Sequence, residues 1–154
     1  KAGIPVQGHL GLTPQTASAL GGFKMQGRDA FAAKQIIDDA KALEDAGVFS
    51  MILEAVPAPL GKLVAEAVKV PVIGIGAGPD VDGQVLVTHD MVGLFDKFVP
   101  KFVKQYTRIR PVILEALGAY KKEVQDGVFP GPEHSFKMPA EALAQLKQMI
   151  ENSK

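Results

Sequence analysis

The side chains able to do chemistry fall in a few places. Glu54 lies near the end of the apolar run Val-Phe-Ser-Met-Ile-Leu-Glu-Ala-Val (residues 48–56). Burial disfavours the charged form of a carboxylate and raises its pKa, so a glutamate there is a better base near neutral pH. A strand-end glutamate can equally cap the next helix or form a salt bridge. His9 ends a second apolar stretch, in Gly8-His9-Leu10-Gly11. Neutral imidazole both donates and accepts hydrogen bonds, although a histidine bonded to backbone is the plainer reading. Lys24 and Arg28 stand in a stretch rich in Gly, Ser, Thr and Gln (residues 13–28). A loop this long in a compact domain is usually functional and can close over a site; a solvated basic loop is the competing reading.

Other groups are weaker signals. Asp80, Asp82 and Asp90 form an acidic series of the kind that binds magnesium, but turns and backbone hydrogen bonds explain such aspartates as well. Gly74, Gly76 and Gly78 have the spacing G-x-G-x-G, and no long helix follows, so the dinucleotide fingerprint is not met. Close backbone approach or positive φ explains these glycines better. The chain has no cysteine, which excludes disulfides, thiolate metal sites and a cysteine nucleophile. Seventeen basic residues balance seventeen acidic ones, leaving no overall field to attract nucleic acid or an anionic membrane. The longest apolar run is too short to span a bilayer, and residues 1–5 have no apolar core of signal-peptide length. Cytoplasm is the expected compartment.

Elements must position these residues. Residues 4–10 read as a buried strand. Asp29 is a fit N-cap for a helix with apolar positions at Phe31, Ala33, Ile36, Ile37, Ala40 and Leu43, ended by Gly47. Residues 48–56 form a second strand, near-continuous in apolar residues as in a parallel sheet covered on both faces. Pro57 and Pro59 suit the start of the next helix. Residues 72–76 and 85–88 read as third and fourth strands. Strand and helix alternate, the pattern of parallel βαβ units. The connection from Ala77 to Gln84 is short for a parallel crossover; it is expected to hold about one helical turn, with a hairpin as the alternative. Residues 97–106, 111–124 and 139–151 carry helical patterning.

Four such units fit a small doubly wound sheet, or half of a (β/α)8 barrel, which typically needs about 250 residues. The chain begins with Lys rather than Met, almost inside a strand, so a piece of something longer is expected. A half-barrel alone would leave unpaired edges.

The motifs decide between these folds. GHLGLTPQ (residues 8–15), GGFKMQGR (21–28), LEAVP (53–57), PVIGIGAG (71–78), DGQVLVTHD (82–90) and PGPEHSF (130–136), in this order and spacing, closely resemble ketopantoate hydroxymethyltransferase. The resemblance runs from about Gly3 to Phe136. It implies an α/β fold, a (β/α)8 TIM barrel of which this chain supplies about the last four βα units plus C-terminal helices, with residues 1–136 as the C-terminal half of the barrel. Residues 137–154 run past the point where many members of the family stop; they read as an amphipathic helical extension with Leu143, Leu146 and Ile150 on one face, suited to packing such as at a subunit contact, with a frayed tail as the alternative.

The family moves a one-carbon unit from 5,10-methylenetetrahydrofolate to 3-methyl-2-oxobutanoate, giving ketopantoate for pantothenate biosynthesis. Its members bind magnesium at the 2-oxo acid and form homo-oligomers, commonly decamers. The resemblance places the proton acceptor on Glu54 and a pocket-lining, hydroxyl-bonding histidine on His9. It puts the magnesium carboxylates and the substrate lysine in the first half of the barrel, so no metal ligand is expected in this segment and the segment alone is expected to be inactive. Lys24 and Arg28 become candidates for the glutamate tail of the folate. Two rivals stand beside this reading: another barrel that enolises 2-oxo acids, of the phosphoenolpyruvate mutase and isocitrate lyase type, and a non-catalytic half-barrel assembly module.

Overall fold

The computed structural model describes residues 3–16 and 24–152. Strand β1 (Gln7–Gly11) leads through a 3-10 turn (Pro14–Thr16) and the loop to helix α1 (Ala30–Asp45). Then come β2 (Ser50–Glu54), α2 (Ala58–Ala67), β3 (Val72–Ile75), β4 (Gly83–Gln84) and the one-turn α3 (Thr88–Met91). The chain divides into two compact units, Lys1–Arg108 and Ile109–Lys154. The second holds α4 (Arg110–Gln125), a 3-10 turn (Pro132–His134) and α5 (Ala140–Glu151); neither helix has a buried residue. Within it the Phe129 ring packs on Tyr120 and His134. No helix among the described residues is long and apolar enough to cross a membrane.

Local chemistry sets the boundaries of α1. The Asp29 carboxylate accepts from the N–H groups of Phe31 and Ala32 at 3.1 and 2.9 Å, meeting two of the donors that a helix start leaves unpaired. At the other end the N–H of Gly47 reaches Glu44 O and that of Val48 reaches Leu43 O, the paired closure of a glycine-terminated helix. The α2 start carries Pro57 at the cap and Pro59 in the first turn, where a missing N–H costs nothing.

All strand pairs are parallel, in the order β1-β2-β3-β4. Period-2 alternation divides the sheet into two faces. Met51, Leu53 and Val72 point to one face and pack with Ile36 and Ala40 of α1 and Leu60 and Val64 of α2. Val64 and Val72 are fully buried, each worth about 1.5–3 kcal/mol of burial. The register puts His9 beside Ile52, Ile52 beside Ile73, and Glu54 beside Ile75 on the other face. Both helices therefore lie on one side of a sheet whose strand order never reverses. A doubly wound sheet complete in these four strands would have a switch point and helices on both sides; the described residues show neither.

The structure corrects several sequence-based expectations. The first strand begins at Gln7, and residues 4–6 are exposed; among the described residues β1 is an edge, with one neighbour to cover it. Among the described residues α1 and α2 cover one face of the sheet, where cover on both faces was expected. The fourth strand is Gly83–Gln84, and Thr88 already begins a helix. The connection into it is a parallel crossover without a helical turn. It fits because β4 returns beside the middle of β3, pairing Gly83 with Ile73. Asp82 pins it: its carboxylate accepts from Val72 N at 2.8 Å and its N–H donates to Val72 O at 3.0 Å. Residues 97–106 are not helical. Pro100 removes a backbone donor and blocks the preceding turn, and Phe95, Phe98 and Phe102 turn instead toward a cleft. Of the long loop, residues 17–23, with Gly21 and Gly22, lie outside the described residues.

Candidate active site

The carboxyl ends of β1, β2 and β3 meet at Glu54. Gly11 has φ +82°, and a Cβ there would come within 2.2 Å of Glu54 O; only glycine lets the two strand ends approach so closely. The N–H of Leu12 then reaches Glu54 O at 2.9 Å. Ala55, directly after Glu54, has φ +50°. A left-handed alanine costs about 1–2 kcal/mol. It is held by its N–H on Ile75 O and by Gln26 N–H on its carbonyl, both 2.9 Å. The second of these bonds straps the loop carrying Lys24 to the end of β2.

His9 and Glu54 share a sheet face, and His9 Nε2 lies 3.1 Å from Glu54 Oε2. The Glu54 side chain is 14% exposed and that of His9 37%. Burial pushes the Glu54 carboxyl above its ordinary value, while the charge and hydrogen bond of His9 partly offset this. The result is a partly desolvated carboxylate held by one oriented partner.

Glu54 opens into a cleft of about 790 Å³ within the first unit, a volume in the range of small-molecule sites. Leu12, Val56, Ile75 and Val87 line it together with Phe95, Phe98 and Phe102; its other charged groups are Lys24, Lys101 and Asp90. Gly76, at φ +67°, lets the Phe102 ring lie against the backbone, since a Cβ there would sit 2.6 Å from the ring. Arg28 is exposed and does not line the cleft. Sequence reasoning missed the phenylalanines and Lys101 because their spacing imitates a helix. Pro100 among them was the available signal.

Among the described residues no three His, Asp or Glu side chains converge as a metal set. Asp82 is engaged with Val72, as above.

A family model described as ketopantoate hydroxymethyltransferase matches residues 1–132. The chain belongs to that family. It is 57% identical over 154 residues to the 3-methyl-2-oxobutanoate hydroxymethyltransferase of Syntrophobacter fumaroxidans, covering 100% of this chain and 54% of that protein. The family member of the same name from Heliobacterium modesticaldum is 59% identical over 140 residues, 91% of this chain and 51% of its own length. The one from Oleidesulfovibrio alaskensis is 56% identical over 150 residues, 97% and 52%. The chain spans about half the length of these curated relatives.

Proposed function

We propose that this chain forms part of an enzyme that transfers a hydroxymethyl group from 5,10-methylenetetrahydrofolate to 3-methyl-2-oxobutanoate, with Glu54 as the base. The observation that carries the reading is a largely buried carboxylate of raised pKa at the strand ends, facing a cleft in the size range of small-molecule sites. Family membership supplies the substrate class. A singly wound parallel sheet with its helices on one side supports a (β/α)8 barrel as the complete fold, since such barrels carry their sites at the carboxyl ends of the strands.

Glu54 removes the proton from C3 of the oxo acid, the carbon next to the ketone. Its desolvation favours the protonated product of that step. The electron pair left on C3 forms the new carbon–carbon bond to the one-carbon unit, whose two carbon–nitrogen bonds to the folate both break with their electron pairs on nitrogen; the two nitrogens take up the proton removed from C3 and one from water. One water supplies the oxygen of the new hydroxyl. His9 holds the Glu54 carboxylate in place; its exposed ring is not among the residues that line the cleft, contrary to the pocket-lining expectation. Lys24, on the cleft rim, is the better of the two basic loop residues for an anionic tail. Magnesium on the oxo acid would polarise its ketone. The described residues present no ligand set for it. Homo-oligomers up to a decamer and a cytoplasmic site follow the same reading.

The test is direct. The full-length protein is incubated with 3-methyl-2-oxobutanoate, with and without 5,10-methylenetetrahydrofolate, and ketopantoate is followed. Folate-dependent product supports the reading. Turnover of the oxo acid without folate favours the phosphoenolpyruvate mutase type of chemistry, and no turnover of either kind favours an assembly module.

A further inference from the structure

Asp90 is the second carboxylate lining the cleft, and no described residue bonds to its side chain. It is half-buried in α3 and lines the same cleft as Glu54. Asp82, eight residues earlier, spends its carboxylate on Val72 N. No such bond or ion pair reaches the Asp90 carboxylate from the described residues, although its main-chain N–H is bonded to Val87 O. As an early residue of α3 it would favour the helix start through the backbone dipoles, but one turn offers little dipole and no N–H reaches this side chain. A ligand that fills the cleft displaces the water on this carboxylate and must replace the hydrogen bonds that water made. Two carboxylate oxygens ask for two parallel donors from one planar group.

The surrounding wall narrows the choice. Phe95, Phe98 and Phe102 line the cleft, and aromatic side chains favour flat ring partners. The segment carrying them is tied down, with Leu94 N–H on His89 O and Tyr106 N–H on Met91 O. Its attachment to α3 on both sides couples the phenylalanines to Asp90. A flat heterocycle with adjacent N–H donors on one edge and an anionic tail for the lysines satisfies every feature of this wall.

Resting on the one-carbon-carrier reading above, we infer that Asp90 is a specificity residue for that carrier. Its carboxylate accepts from the ring N–H and the neighbouring amino group of the pterin, while the phenylalanines hold the ring.

Titration of the full-length protein with tetrahydrofolate and with its 2-desamino-2-methyl analogue tests this. Removing the amino group is expected to weaken binding to the wild type by about 10- to 100-fold, the range for a hydrogen bond to a charged group. Asp90→Ala is expected to bind the two ligands within about twofold of each other, because the partner of the amino group is gone. Equal binding of both by the wild type overturns the inference, as does undiminished discrimination by Asp90→Ala. If Asp90→Ala does not fold, Asp90→Asn takes its place, and undiminished discrimination by that variant overturns the inference equally. Tetrahydrofolate that fails to bind the wild type ends the carrier reading itself, and this inference with it; binding without discrimination ends this inference alone.

Discussion

His9 Nε2 lies 3.1 Å from Glu54 Oε2 and 3.0 Å from the carbonyl oxygen of Leu12. The carbonyl can only accept, and an ionised carboxylate can only accept. Nε2 therefore carries the hydrogen and shares it between them, which fixes the tautomer of the neutral ring and leaves Nδ1 as its acceptor. When the Glu54 carboxyl is protonated, the same N–H retains the Leu12 carbonyl, so the ring keeps its orientation in either state.

Removing the proposed base should slow the first chemical step. Glu54→Gln in the full-length protein is expected to slow exchange of the C3 proton of 3-methyl-2-oxobutanoate with D2O by about 10²- to 10⁴-fold, the usual contribution of a positioned base. Proton NMR follows the exchange. A rate equal to wild type would remove Glu54 from the mechanism.

His9 lowers the Glu54 pKa through its charge and its hydrogen bond, against the larger opposite effect of burial. Its loss must raise that pKa further. The acidic limb of kcat/KM against pH, where the base is lost to protonation, is expected to move to higher pH in His9→Leu and less far in His9→Gln, which keeps a neutral donor. A limb that stays in place or moves to lower pH contradicts the coupling.

Stability should carry the same signature. The folded-state pKa of Glu54 is raised from 4.5, so the native state binds the proton more tightly than the unfolded chain. This contribution is fully present below pH 4.5 and is lost as pH rises through the folded value. Glu54→Gln, which cannot ionise, should gain Tm relative to wild type between pH 4.5 and 7. A constant difference across that range would show that the carboxyl is not desolvated.

Gly76 and Phe102 should behave as a pair. Gly76→Ala places a Cβ 2.6 Å from the ring at φ +67°, and the strained backbone alone costs about 1–2 kcal/mol. Urea unfolding is expected to show at least that loss, with part of it recovered when Phe102→Ala is added. Strict additivity of the two changes would place the ring away from the glycine.

Asp29→Ala should cost about 1 kcal/mol through its two lost cap bonds, and Asp29→Asn much less. Thermal unfolding measures both. Equal losses would mean that charge, rather than capping geometry, stabilises the start of α1.

Much of this was legible in the chain. The Asp29 cap, the Gly47 stop and the prolines before α2 are local choices, decided by dihedral preference and by which backbone donors lack partners. The parallel βαβ rhythm and the place of Glu54 at a strand end follow from apolar periodicity. The motifs carried the family, and the family model agrees over residues 1–132.

Tertiary structure decided what depends on distant partners. His9 and Glu54 are 45 residues apart, and only the parallel register of β1 on β2 puts them on one face. The apolar spacing of Phe95, Phe98 and Phe102 fits a helix as well as a cleft wall, and the backbone space opened by Gly76 selected the wall. The extent of β4 was set by where its connector returns along β3, since strand pairing is a property of two segments and neither segment's composition contains it.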